Sequence, residues 1–147
     1  MAHERLLRKI KGMGIDGELL RWIVMWLKER CQIVGFRGSC SEWRECGAVY
    51  HSPGSVLGPV LFLIFIDDLD EDLASSVLKF ADDTKVFGVV NSVDDRNKLQ
   101  SDLKRLVDWS DKWQMKFNVG KCKVMHFGKG NLEWNYVMNK QRLKVIS

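Results

Sequence analysis

Paired cysteines and a zinc-binding spacing of cysteine and histidine are both missing from this chain of 147 residues. The four cysteines contain no CxxC pair, and none of them lies at a zinc-site spacing from His3, His51 or His126. Neither a structural metal site nor a disulfide framework is therefore expected.

Long apolar runs are lacking as well. The longest, residues 56–66, contains Gly58 and Pro59 and is far shorter than the roughly 20 residues that a membrane helix needs. The first residues, MAHERLLRKIKG, are charged and amphipathic, which is untypical of a signal peptide. We therefore expect an intracellular protein, nuclear or cytoplasmic, that is neither secreted nor embedded in a membrane.

A strong excess of one charge is also absent. The 23 Lys and Arg residues exceed the 19 Asp and Glu residues by only four, which is too few to indicate a dedicated nucleic-acid module by charge alone. Hydrophobic residues make up 46% of the chain and charged residues 29%, as in globular proteins. With no repeat and no linker, the composition predicts one domain over residues 1–147.

Apolar residues recur at helical spacing in four segments, namely residues 3–11, 16–30, 55–69 and 93–113. In the second segment, Asp16 stands where an N-cap is expected. The third segment is apolar on all sides, which predicts a buried helix, although a pair of strands also fits it. The fourth segment has apolar residues on one face and charged residues on the other.

Two β-hairpins are predicted between these helices. Residues 31–38 and 41–49 are strand-like on either side of a short polar break at residues 39–41. The second hairpin has strands at residues 77–80 and 85–90, with its connection at residues 81–84.

The second hairpin carries two adjacent acids, Asp82 and Asp83, within the sequence FADDTK. Carboxylates at the tip of a hairpin can bind a hard cation such as Mg²⁺, which prefers oxygen ligands. Aspartate is also a favoured turn residue, so an ordinary solvated turn explains the bare dipeptide equally well. The residues alone leave both interpretations open.

Three longer segments resemble the reverse transcriptase of non-LTR, LINE-type retrotransposons, and together they cover nearly the whole chain. They occur in the family's order, which is more specific than any one motif. The resemblance implies an α+β fold, namely a polymerase palm in which helices back an antiparallel sheet built around the acidic hairpin. The segments are GSVLGPVLFLIFIDDL at 54–69, LKFADDTKVFG at 78–88 and WSDKWQMKFNVGKCKVMHFG at 109–128.

The resemblance also implies a chemistry, which is RNA-directed DNA synthesis by two-metal nucleotidyl transfer. Its cofactor would be Mg²⁺ or Mn²⁺, and its partners an RNA template, a DNA primer and a deoxynucleoside triphosphate. Asp82 and Asp83 would be the metal ligands, and Lys121 would lie near the leaving pyrophosphate as a further catalytic residue. The implied nucleotide-binding and template-binding residues are Gly54, Ser55, Gly58, Pro59 and Asn118.

The sequence departs from the family pattern in two places. The family has a further metal-binding aspartate ahead of the segment that matches HERLL at residues 3–7, and no residue here occupies that position. The family's SGVPQG is replaced by AVYHSPG at residues 48–54. With no counterpart of fingers or thumb either, we expect a truncated palm that binds metal weakly and is inactive alone.

Two further interpretations remain open beside the polymerase. One is a non-catalytic module that binds nucleic acid through its basic first helix and its turn lysines. The other is a protein-interaction remnant that uses a sheet edge or the helix at residues 93–113. A palm without its first strands would expose a sheet edge, so we also expect self-association.

Overall fold

A computed structural model describes residues 3–28, 31–45, 56–129 and 131–146 of the chain. The chain divides into two units, Met1–Asp67 and Asp68–Ser147. Within the described residues the helices are α1 at His3–Gly12, α2 at Gly17–Leu27, α3 at Leu57–Ile66 and α4 at Val93–Trp113. None of these helices combines the length and the apolar character that crossing a bilayer requires.

The strands are short and form five two-stranded pairs in the described part of the chain, four antiparallel and one parallel. The predicted α+β class is confirmed, although the strands form separate pairs instead of one continuous sheet. The strands are β1 Cys31–Gln32, β2 Gly35–Phe36, β3 Ser39–Cys40, β4 Arg44–Glu45, β5 Ser76–Phe80, β6 Asp83–Phe87, β7 Lys123–Met125, β8 Val137–Met138, β9 Gln141–Arg142 and β10 Lys144–Ile146.

In the first unit, α1 packs against both α2 and α3. Its apolar stripe explains this, because Leu6 and Ile10 are one turn apart and fully buried. The connection to α2 turns at Gly14, whose φ of +83° favours glycine. Asp16 is the N-cap residue of α2 as predicted, although its side chain makes no capping hydrogen bond.

Helix α3 is the helix that the sequence predicts, and the alternative of two strands is wrong. The expectation that it is buried on all sides is also wrong. Leu61 and Phe65 are buried, whereas Val60 and Leu63 are exposed. Helix α1 covers one side of α3, so an apolar stripe remains at the surface.

A buried lysine joins α1 to the end of α3. The Nζ of Lys9 donates a hydrogen bond of 2.5 Å to the carbonyl oxygen of Phe65, and it lies 5.0 Å from the centroid of the Phe65 ring. Because the last carbonyls of a helix carry partial negative charge, an ammonium group at this position stabilises the C-terminus of α3.

The first hairpin turns two residues earlier than the polar break predicts. Its turn consists of Arg37 and Gly38, both with positive φ, and residues 39–40 already belong to β3. Two positive φ values are typical of the tightest hairpin turns. Beyond β3 the pairing continues through Ser41, whose amide donates to the carbonyl of Val34 and whose hydroxyl accepts from the Val34 amide.

The second unit is built on α4, which begins and ends as predicted. Its first turn has a capping box, in which the Ser92 hydroxyl accepts from the Asp95 amide and the Asp95 carboxylate accepts from the Ser92 amide. The hydrogen bond from the Ser92 hydroxyl holds the pKa of Asp95 below its usual value. The buried core around α4 consists of Leu69, Leu106, Tyr136, Met138 and Leu143.

Candidate active site

The two adjacent acids lie at the tip of the β5–β6 hairpin. Phe80 is paired with Asp83 in the register, so the connection consists of only Ala81 and Asp82. It is shorter than the predicted four-residue connection, because Asp83 and Thr84 already belong to β6. Ala81 has a φ of +50°, a conformation that L side chains adopt at a cost of about 1–2 kcal/mol.

Both acids are exposed to solvent. Asp83 shares a face with its cross-strand partner Phe80, while Asp82 lies in the turn itself. The described residues contain no group of three side chains that could hold a metal ion. Two exposed carboxylates supply only part of the ligands of a hard cation such as Mg²⁺, which takes further ligands from water or phosphate oxygens.

The opposite face of the hairpin is partly buried. Val77 and Val86 are paired across the strands on this face, and Val86 packs against the core of the second unit. Beside them the ammonium group of Lys79 lies 2.5 Å from a carboxylate oxygen of Asp70. One face thus anchors the hairpin, and the other stays at the surface.

A buried carboxylate on α4 holds the base of the same hairpin. The side chain of Asp102 accepts hydrogen bonds from the amides of Ala74 and Ser75, at 3.2 and 2.8 Å, and from Arg105 at 3.2 Å. Burial favours the neutral acid, but the hydrogen bonds from Ser75 and Ala74 and the charge of Arg105 outweigh it. The pKa of Asp102 therefore lies below its usual value.

The sequence pattern does not single out Asp102, because the periodicity of α4 predicts that its charged residues lie on the solvent face. Asp102 is fully buried and lies on the apolar face, three residues after Leu99 and four before Leu106. An acid at a core position of a helix is the signal that could have identified it.

A groove runs beside α4 in the second unit. The Trp109 indole donates a hydrogen bond of 2.8 Å to Asp68, and Arg105 donates one of 2.7 Å to the carbonyl oxygen of Asp72. These contacts fix residues 68–72 against α4. The groove has a volume of about 410 Å³, with walls that carry carboxylates, two cations and the Trp109 ring.

Lys121 and Asn118 lie together in one turn, also in the second unit. The amide of Lys121 donates a hydrogen bond of 2.9 Å to the carbonyl of Asn118, and both side chains are exposed. The turn leads directly into β7, with the amide of Cys122 bonded to the carbonyl of Val119. Lys121 therefore presents its ammonium group to solvent from a turn fixed by backbone hydrogen bonds.

The predicted nucleotide-binding and template-binding residues of the first unit are only partly described. Gly58 is buried and Pro59 exposed in the first turn of α3, where proline is tolerated because the first amides of a helix have no partner within it. Gly54 and Ser55 lie outside the described residues, as does the segment at residues 48–54 that departs from the family pattern.

The chain matches the sequence model of a known protein family. The model of one family, reverse transcriptase (RNA-dependent DNA polymerase), matches residues 1–145. No curated protein and no solved structure matches the chain significantly. Because the match covers almost all 147 residues, the chain belongs to the reverse transcriptase family.

Proposed function

We propose that the chain is a palm element of a LINE-type reverse transcriptase, and that the reaction it serves is RNA-templated DNA synthesis. The observation that carries this proposal is the position of Asp82 and Asp83, exposed at the tip of a tight antiparallel hairpin whose base is held by α4. The family match over residues 1–145 supports the reaction class.

Asp82 and Asp83 are the proposed metal ligands, with Asp82 as the principal one. Members of this family generally use divalent metals, and two carboxylates with open coordination positions suit Mg²⁺ or Mn²⁺. When bound, the metal would lower the pKa of the primer 3′-hydroxyl and offset the charge that develops on the phosphates. The contribution of the chain is to fix two negative charges at a solvent-accessible tip.

Lys121 has a separate role in the proposal, which is to bind the leaving pyrophosphate. An exposed ammonium group on a turn fixed by backbone hydrogen bonds can neutralise a phosphate or deliver a proton to it. Asn118, in the same turn, would position the triphosphate. Gly58 and Pro59 would lie on the nucleotide and template side, together with Gly54 and Ser55.

We further propose that the chain alone binds metal weakly and does not catalyse incorporation at a measurable rate. No residue of the sequence matches the family's other metal-binding aspartate, and the described residues place no third ligand beside the acidic turn. Without the further aspartate the site has fewer donor oxygens and less negative charge, which weakens the binding of a divalent cation. Another polypeptide segment would have to supply the missing carboxylate.

Primer extension tests this proposal. The assay uses an RNA template, a labelled DNA primer and Mg²⁺ or Mn²⁺, with Mn²⁺ binding followed by the relaxation of water protons. The test variant is Asp82→Asn with Asp83→Asn, and its matched control is Asp108→Asn with Asp111→Asn, which removes the same charge from exposed positions of α4.

We expect weak Mn²⁺ binding that disappears in the test variant and persists in the control, with no incorporation by either. Incorporation by the natural chain that requires Asp82 and Asp83 would overturn the proposed inactivity and support the enzyme. Equal Mn²⁺ binding by test variant and control would overturn the proposed metal site.

Self-association is a proposal as well, favoured by the outer face of the hairpin. Leu78 and Phe80 are exposed there beside Lys85 and Asp83, their respective cross-strand partners. A twofold axis between the pair Leu78–Lys85 and the pair Phe80–Asp83 would bring Lys85 of one copy over Asp83 of the other and Leu78 over Phe80.

We place the protein inside the cell, nuclear or cytoplasmic, as the sequence predicts.

A further inference from the structure

The basic residues of the second unit are concentrated near its C-terminal end. Residues 116–144 contain seven Lys and Arg residues and a single acid, Glu133. This segment alone carries more net positive charge than the whole chain, whose formal charge is +4. A local concentration of this kind attracts anions even when the total charge of a protein is modest.

The parallel pair β7–β10 brings two of these charges side by side. Lys123 and Lys144 are Cα partners in the register, and both are exposed. Like charges directly opposite one another destabilise a strand pair. Lys123 makes a long hydrogen bond of 3.4 Å to the Gly120 carbonyl, and within the described ranges neither lysine forms an ion pair.

Exposed apolar side chains follow Lys123 along the same strand and just beyond its end. Along β7 and the two residues after it, exposed side chains alternate with half-buried ones, and the exposed ones are Lys123, Met125 and Phe127. Phe127 is 76% exposed, although its backbone is fixed by a hydrogen bond of 3.0 Å from the Asn131 side chain to the Phe127 carbonyl. Lys123 and Phe127 are four residues apart, which separates their Cα atoms by at most about 13 Å along the chain.

From this arrangement we infer that one exposed surface, here called the β7 strip, binds single-stranded nucleic acid. The strip consists of Lys123, Met125 and Phe127, with Lys144 of β10 beside Lys123. The two ammonium groups contact backbone phosphates, and Phe127 stacks on an unpaired base. A duplex offers no free base face to the ring, so the strip favours single strands. The inference rests on the proposed function only in taking nucleic acid as the partner, and it involves neither Asp82 nor Asp83.

Fluorescence anisotropy tests the strip with a fluorescein-labelled 15-nucleotide oligo(dT) as the probe, in EDTA and over a range of salt concentrations. The first variant is Lys123→Gln with Lys144→Gln. Its control is Lys98→Gln with Lys104→Gln, which removes two exposed charges from α4. The second variant is Phe127→Leu, and its control is Phe36→Leu, which replaces another ring in an exposed position.

We expect the lysine variant to bind about tenfold more weakly than its control, and the slope of log K against log salt to fall by about 1.4, as for two lost single-strand contacts. Phe127→Leu should weaken binding about fivefold or more and leave the slope unchanged. Lys123→Arg with Lys144→Arg should keep the affinity, and Asp82→Asn with Asp83→Asn should not weaken it.

Several results would overturn the inference. They are equal affinity of the lysine variant and its control, an Arg variant as weak as the Gln variant, or a duplex that competes as well as the single strand. Lysine-dependent binding to phosphatidylserine vesicles without binding to oligo(dT) would assign the strip to membranes instead. Because the assay contains no metal, loss of the strip leaves the metal-site proposal standing, and loss of the metal site leaves the strip standing.

Discussion

Replacing Asp102 by alanine should destabilise the second unit, because the change leaves two backbone amides without their acceptor and removes one of the two acceptors of Arg105. The Ala74 and Ser75 amides are held by a fully buried carboxylate. Hydrogen bonds to a charged group contribute about 1.5–3 kcal/mol each. The side chain of Arg105 is half exposed, so its ion pair adds little. We expect a loss of about 3 kcal/mol.

Urea unfolding followed by circular dichroism measures this loss. Asp108→Ala, at an exposed position of α4, is the matched control, since it makes the same change in helix propensity without removing a buried acceptor. A difference between the two variants of less than about 0.5 kcal/mol would refute the reasoning, because surface substitutions have effects of that size.

The pH dependence gives a second check on Asp102. Its pKa is lowered in the folded protein, so its contribution to stability is fully present above the unfolded value of about 3.9 and is lost as the pH falls through the folded value. The stability difference between the natural chain and Asp102→Asn should therefore be constant near neutral pH and shrink below about pH 4. A difference that grows on acidification would contradict the assigned hydrogen bonds.

Three further perturbations have defined outcomes. Ala81→Gly should stabilise the protein by about 0.5–1 kcal/mol, because glycine adopts a positive φ without steric cost; a lower melting temperature would contradict this. Lys9→Met should cost about 1–2 kcal/mol in urea unfolding by removing the ammonium group from the end of α3, and a gain in stability would show that the burial penalty of Lys9 outweighs its hydrogen bond. Phe80→Ser, at a position 82% exposed, should shift sedimentation toward the monomer without lowering stability, whereas unchanged sedimentation of an associating chain would exclude the outer face of the hairpin.

Much of the fold could be predicted from local patterns. The bounds of α4 follow from its apolar periodicity, and the acidic hairpin follows from two β-rich runs around FADDTK. The exposure of Asp82 and Asp83 agrees with the turn that the sequence predicts. Their roles as metal ligands and the roles of Lys121 and Asn118 stay predictions, because they depend on the resemblance.

The features that sequence reasoning missed depend on tertiary contacts. The first hairpin turns at Arg37, a residue type that rarely adopts a positive φ, so composition pointed to the polar break beyond it. Asp102 resembles an ordinary charged residue of an amphipathic helix until the amides of Ala74 and Ser75 are placed beside it. The separation of the strands into pairs could not be predicted either, because local periodicity indicates where strands occur but not which strands pair.

The acidic hairpin is held along most of its length but not at its turn, and this affects how it fluctuates. Its base is held by Asp102, and Lys79, one pair before the tip, is held by its ion pair with Asp70, while the two residues of the turn are exposed. Protection against amide hydrogen exchange should therefore persist from Ser75 to Lys79 and decrease at Asp82. The carboxylates at the tip can then adjust to an incoming cation or phosphate by small displacements, without disturbing the core that supports the strands.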